Sequence, residues 1–256
     1  MDLKILSWNI EGTKYYTSTN FKKIRPILEK IEADIFCLQE GQEFLAKLNE
    51  FQKFKDFKHI FSHEDNDGLN VILSRFPIIV SGEISIPLSI KYPPGKVLWA
   101  DIKVNKEIIK IYNCHFGVVS VGPLERANLL KFIFNDSKKH SGPVVICGDL
   151  NTTIPAAGLK RKIVQLFHKE KNSSLLTSGK YPKSDERYSL VNIANHSGFK
   201  EAVNISKSTW GIRSLSLELF KLKLDWFLTR NIRINKVVLG DFVSDHRSVY
   251  AEFSIK

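Results

Sequence analysis

The segment Val144-Val145-Ile146-Cys147-Gly148-Asp149-Leu150-Asn151 places an acid and an amide two residues apart, after four apolar residues and a glycine. Such a run reads as a strand buried on both faces. A carboxylate at its end is costly to bury unless a cation or a donor pairs with it. In an extended chain the period of two puts Asp149 and Asn151 on one side, and Gly148 allows a close backbone approach or a kink. The ordinary use of Asp-Leu-Asn is a helix cap or an Asx-turn. The buried strand before it favours chemistry instead.

The pattern recurs along the chain. Leu3–Trp8 leads to Asn9 and Glu11, Asp34–Leu38 to Gln39-Glu40, and Ile108–Tyr112 to Asn113 and His115. Leu224 leads to Asp225, and Val243-Ser244 to Asp245-His246. If these six strand ends meet at one edge of the core, they form an acidic, metal-ready pocket holding two imidazoles. A phosphodiester repels nucleophiles by its charge, and a divalent metal is the best agent to neutralise it. Mg²⁺ takes hard oxygen ligands and keeps several waters, so one or two carboxylates suffice. Glu40, standing alone after a buried strand, is the candidate ligand. Its competing reading is an acid at a helix N-terminus, favoured by the macrodipole.

The chain has 256 residues, 43% of them hydrophobic, and a net charge of +11. That length suits one large core, read as a single domain over 1–256. The charge points to a polyanionic partner, nucleic acid or an anionic membrane surface. Lys53–Lys58, Lys160-Arg161-Lys162 and Arg230 through Arg233 are candidate walls of a basic groove, with a solvated face as the alternative. Tyr15, Tyr16, Tyr92 and Trp210 are candidate base-stacking residues, whereas Trp226 reads as core. Three cysteines, an odd number without a CxxC pair, argue against a disulfide framework and a zinc site. No apolar run reaches the ~20 residues of a membrane span, and no signal peptide is evident. The expectation is a soluble, cytoplasmic monomer. Walker, GxSxG and GxGxxG motifs are absent, so nucleotide-driven and serine-hydrolase chemistry have no support.

Strands are expected at 2–9, 69–74, 78–86, 97–104, 107–112, 232–238 and 248–255. Helices are expected around Phe21–Ile31, Phe44–Phe51, from Pro123, over Gly158–Lys169 and over Ser189–Asn195. Hairpins mixed with helices imply much antiparallel pairing.

Trp8-Asn9-Ile10-Glu11-Gly12, Leu38-Gln39-Glu40, Asn113-Cys114-His115-Phe116, Gly148-Asp149-Leu150-Asn151, Leu224-Asp225-Trp226-Phe227-Leu228 and Ser244-Asp245-His246-Arg247 stand in one order across nearly the whole chain. In these motifs the chain resembles the endonuclease/exonuclease/phosphatase (DNase I-like) superfamily of Mg²⁺-dependent phosphoesterases. The resemblance implies an α/β fold of α+β type: a four-layered sandwich of two mainly antiparallel sheets flanked by helices. It implies a metal set of Glu40, Asn9 and Asp245 for Mg²⁺, with Mn²⁺ as substitute. It also implies a catalytic set of Asp149, Asn151, His115, Asp225 and His246. Asp149 would orient or deprotonate water, Asn151 would hold a phosphate oxygen, and Asp225 would fix the tautomer of His246. Either Asp149 or His246 could be the base. His115 departs from the tyrosine of the exonuclease III-type branch. Together with Glu125-Arg126 and Ser208-Thr209-Trp210 it looks more like the tyrosyl-DNA phosphodiesterase branch. Glu11, Arg126, Trp210 and Tyr15 are the corresponding substrate-binding candidates. The expected substrate is nucleic acid, DNA before RNA. The rivals are a small-molecule or lipid-head phosphoesterase, and a non-catalytic binding module.

Overall fold

The computed structural model describes residues 2–11, 19–61, 69–84, 95–116, 123–152, 186–204, 206–211 and 222–255. Its strands are β1 (Asp2–Asn9), β2 (Ile35–Gln39), β3 (Lys58–Phe61), β4 (Val71–Ser74), β5 (Ile78–Glu83), β6 (Gly95–Val104), β7 (Glu107–Phe116), β8 (Val144–Asp149), β9 (Lys200–Glu201), β10 (Asp225–Arg230), β11 (Arg233–Phe242) and β12 (Arg247–Ser254). Its helices are α1 (Thr19–Lys30), α2 (Gln42–Ala46), α3 (Pro123–Ser137) and α4 (Glu186–His196).

The strands form two six-stranded sheets, ordered β11-β12-β1-β2-β4-β3 and β5-β6-β7-β8-β10-β9. Each has one parallel pair at its centre, β1 with β2 and β7 with β8. The remaining pairs are antiparallel. Residue parity builds the layers. Ile5, Cys37, Ile111, Cys147 and Phe227 fill the space between the sheets. Their neighbours of opposite parity pack outward: Leu6, Phe36 and Leu38 against α1 and Phe44 of α2. Tyr112, Ile146 and Trp226 pack against α3 and α4. The result is the expected four-layered sandwich. Cys37, Cys114 and Cys147 are buried and free, as small hydrophobes.

Three expectations are corrected. The helix expected over Phe44–Phe51 is only α2, followed by single 3-10 turns at Leu48–Glu50 and Gln52–Phe54. The turns fold Phe51 and Phe54 back onto Phe44, with ring centroids 5.1 and 5.5 Å away. β3 was not expected, because its exposed edge residues Lys58, His59 and Phe61 carry no apolar alternation. Within the basic stretches, Lys53 and Arg230 serve the fold, while Lys55, Lys58 and Arg233 are exposed. Lys53 Nζ donates to the carbonyls of Leu28, Glu29 and Ile31 at the end of α1. Arg230 donates to the carbonyls of Ser137 and His140 beyond α3, and lies 5.0 Å from the Phe199 ring. Both cations thus satisfy orphan carbonyls at helix C-termini. Arg230→Ala is expected to cost about 1.5–3 kcal/mol in urea denaturation without changing the salt dependence of nucleic-acid binding. A reduced salt slope with unchanged stability would restore the groove reading. The helix expected over 158–169 and the Lys160-Arg161-Lys162 cluster lie outside the described residues, as do Tyr16 and Tyr92.

Candidate active site

The parity that fills the space between the sheets also aims the polar residues. Asn9 and Gln39 continue the inward rows of β1 and β2. Asn113 and His115 continue that of β7, Asp149 that of β8, and Asp225 stands at the start of β10. Register sets them side by side: Asn9 opposite Gln39, His115 opposite Asp149, and Asp225 opposite Asp149. Asp225 begins its strand, and Asp245 and His246 lie in the turn before β12. They were expected at strand ends that follow apolar runs. Antiparallel pairing brings these strand starts to the edge where β1, β2, β7 and β8 finish.

Two local turns shape the rim. Asn9 Oδ1 accepts the Glu11 backbone N–H at 3.1 Å, and Asp149 Oδ1 accepts that of Asn151 at 2.9 Å. Both are Asx-turns, so the Asx reading of Asp-Leu-Asn holds together with the chemical one. Glu11, Glu40 and Asn151 all adopt the left-handed region, with φ of 51, 54 and 49°. Non-glycine residues held there carry strain that clusters at functional sites.

The site closes around Asp149. Its Oδ2 accepts Asn9 Nδ2 at 3.2 Å and stands 3.5 Å from His246 Nε2 and 3.9 Å from His115 Nε2. Glu40 Oε1 accepts the same Asn9 amide at 3.0 Å and lies 3.7 Å from His115 Nε2. His246 Nδ1 meets Asp225 Oδ2 at 2.9 Å, which directs Nε2 to Asp149. Asp245 Oδ1 is 4.0 Å from His246 Nε2. Burial raises the Glu40 carboxyl, partly offset by His115 and Asn9. Burial likewise raises Asp149, against the pull of His246. For His246 burial works downward, but Asp225 and Asp149 outweigh it and hold the imidazole well above its usual range.

The expected residues divide accordingly. Asp149, His115, Asp225, His246, Glu40, Asn9 and Asp245 meet in one cleft. Asn151 flanks it and donates Nδ2 to the Phe116 carbonyl at 2.6 Å. Asn9 accepts the Glu11 N–H on its oxygen and donates its NH₂ to Glu40 and Asp149, so its amide orients the two carboxylates. Glu11 sits at the rim, accepting the Asp245 N–H at 3.4 Å. Arg126 is corrected as a substrate contact. It is fully buried, and its Nε and Nη2 grip Glu186 at 2.6 and 2.8 Å. Trp210 points its indole N–H at Asp245. Tyr15 lies outside the described residues. Asp149, Asp225 and His246 place ligand atoms within 4.8 Å of one another and could also hold a metal ion.

Sequence reasoning passed over the supports beneath the site. Asn113 Nδ2 donates across the sandwich to the carbonyls of Leu38 and Val71, both at 2.9 Å, and its oxygen accepts Gln39 Nε2. Lys223 is buried behind Asp225, donating to the Asp225 carbonyl at 2.9 Å and to Glu201 Oε1 at 3.2 Å. Only the Gln39-Glu40 and Asn113 motif letters hinted at the first network. Nothing in the local pattern signalled the second.

Burial lowers Lys223 and raises Glu201. Glu201→Gln would leave the ammonium unpaired, at an expected cost of about 3–5 kcal/mol at neutral pH. A lysine lowered in the fold binds fewer protons than in the unfolded chain. The variant's stability therefore rises with pH below the unfolded lysine value and levels above it. Denaturation from pH 7 to 10 checks this: the deficit should shrink as pH rises, and a flat or growing deficit contradicts it.

The profile of the Endonuclease/Exonuclease/phosphatase family matches residues 6–246. No curated protein sequence matches the chain. Among solved structures, D. rerio TDP2 complexed with single strand DNA product aligns at TM-score 0.68 and 15% identity, over 99% of each chain. Truncated Caenorhabditis elegans TDP2 aligns at 0.66 and 20% identity, over 98% of this chain and 97% of that one. The endonuclease/exonuclease/phosphatase from Bacteroides vulgatus aligns at 0.70 and 17% identity, over 100% of both. Identities this low speak for the fold, and the profile match speaks for descent. The chain therefore belongs to the Endonuclease/Exonuclease/phosphatase family, whose members are phosphoesterases and nucleases.

Proposed function

We propose that this chain is a divalent-cation-dependent phosphodiester hydrolase acting on nucleic acid, with DNA ends or strands as substrate and Mg²⁺, or Mn²⁺ in its place, as the cation. The observation that carries the reading is the chain of contacts from Glu40 to His115, from His115 to Asp149 and from Asp149 to His246, at 3.7, 3.9 and 3.5 Å. The donor set fits a hard cation. Glu40 and Asp245 bring carboxylate oxygens, and Asp245 Oδ1 is buried with no hydrogen bond among the described residues. When bound, the cation would neutralise charge on the phosphate.

The side chains then divide the remaining work. Asp149 Oδ2, the oxygen that faces the cleft, orients the attacking water and accepts its proton. Asp225 holds Nδ1 of His246, so Nε2 is free to donate to a phosphoryl oxygen. His115 donates from the opposite side, beside the leaving oxygen. Asn9 bridges Glu40 and Asp149 by donating to both. The excess of positive charge, +11, and the DNA product bound by D. rerio TDP2 support nucleic acid over a small ester.

A substrate panel with Mg²⁺ tests this. It contains nicked, abasic and 5′-tyrosyl DNA, single-stranded RNA, an inositol phosphate and sphingomyelin. The expected result is DNA hydrolysis that chelator abolishes and that falls steeply with salt, since phosphate contacts release counterions. Salt-insensitive turnover of the inositol phosphate or the lipid would replace the nuclease reading. No turnover of any substrate would leave a binding module.

A further inference from the structure

Trp210 has a feature that base stacking does not use. Its indole Nε1–H donates to Asp245 Oδ2 at 2.9 Å, while Asp245 Oδ1 is left buried and unbonded among the described residues. The Asp245 backbone is gripped by the same segment, with Gly211 N–H donating to its carbonyl at 3.0 Å. Trp210 bridges His246 on one side and Leu222 on the other. Thr209, fully buried, accepts the N–H groups of Leu224 and Asp225 on its hydroxyl, both at 2.9 Å. Its carbonyl accepts the Arg247 N–H at 2.7 Å. Two consecutive residues thus anchor the two acids that flank His246, Trp210 at the Asp245 carboxylate and Thr209 at the Asp225 backbone, although neither stands on a main strand.

We propose that Trp210 is a positioning residue that orients Asp245: its N–H takes one carboxylate oxygen and so presents the other, Oδ1, to a divalent cation. The inference rests on the cation-dependent reading above. An unheld carboxylate rotates about its terminal torsion, which is broad, and would lose entropy on binding the ion. The indole removes that freedom beforehand. Partners of this kind, one bond behind a ligand, change metal affinity by about 10–100-fold when removed. Thr209 fixes the Asp225 backbone, so the dipeptide anchors the acidic residues on both sides of the imidazole, one by its carboxylate and one by its main chain.

Trp210→Phe tests the proposal, because it keeps an aromatic face and deletes the N–H. The readout is the thermal shift produced by titrating Mn²⁺ or Mg²⁺ without substrate. The expected result is an apparent cation affinity about 10–100-fold weaker, with DNA cleavage recovered at high cation concentration and KM for DNA unchanged. On an Asp245→Asn background the same substitution should add nothing, since partners in one interaction couple rather than add. Wild-type cation affinity in Trp210→Phe, or a raised KM for DNA that cation does not rescue, would overturn the proposal in favour of stacking. If Trp210→Phe does not fold, Asp245→Asn alone decides. An amide held by the indole must turn its NH₂ to the ion and lose the shift. A retained shift refutes the orientation. A wild-type protein with no cation response would instead refute the cation-dependent reading itself.

Discussion

Asp149→Asn is expected to lower phosphodiester turnover by about 10²–10⁴-fold, the range for removing a general base, and to stabilise the cation-free protein. The two effects share one cause. Asp149 is buried at 1% exposure, opposite Asp225 in register, and its carboxyl is raised by burial. A raised carboxyl means that the fold penalises the charge. An isosteric amide removes that penalty and keeps one oxygen for the Asn151 or Asn9 N–H. The sign follows from proton linkage. The native state holds the Asp149 proton more tightly than the unfolded chain, so this group's stability is present below the unfolded carboxyl range and lost as pH rises through the folded value. The advantage of the variant should therefore appear at neutral pH, at about 2–4 °C per kcal/mol for a chain of this size, and vanish in acid. Single-turnover kinetics and calorimetry at two pH values measure both halves. Full activity would remove Asp149 from proton transfer. A less stable variant at neutral pH would show that the carboxylate is compensated within the fold.

Gly148→Ala is expected to unfold the protein or cost more than about 4–5 kcal/mol, the range reserved for gross core defects. Gly148 has φ +124°, and an added Cβ would lie 2.1 Å from the Cys114 carbonyl oxygen. That oxygen belongs to the neighbouring parallel strand, Cys114 being opposite Gly148 in the register. Backbone cannot swing aside as a side-chain tip can, so the β7–β8 ladder must part. The ladder sets His115 beside Asp149, hence any residual fold should be inactive as well. Urea denaturation and circular dichroism read the outcome. A variant within 1 kcal/mol of wild type would mean that the strands separate cheaply at this edge.

Much of this arrangement was legible because inward-facing strand residues repeat with period two. The row Val145, Cys147, Asp149 can be traced by counting, and so can Ile111, Asn113, His115. The order of motifs then identified the family. Orientation along a strand was less legible. Asp225 and Asp245-His246 were taken as ends, since an apolar residue precedes each, yet they open strands that run the other way. Arg126 misled because charge alone does not say whether a guanidinium meets a ligand or a buried Glu186. Lys53 and Arg230 misled similarly, since helix C-termini attract cations as surely as phosphates do. The Thr209-Trp210 anchor was visible only as letters, because its work lies in backbone contacts to residues that are distant in sequence.

The position of β12 in the first sheet has a kinetic consequence. β12 fills the slot between β1 and β11, pairing Leu3 with Phe253 and Ser7 with Val249. During synthesis β1 leaves the ribosome long before β12, and of its two neighbours only β2 follows it closely. Its other flank stays open until residues 247–254 leave the ribosome. Loop closure over so long a separation is slow, and an open strand flank invites association with other nascent chains. Asn9 and His246 lie on the two sides of that same late seam. The site should therefore assemble late, and refolding kinetics should show turnover lagging behind the return of secondary structure.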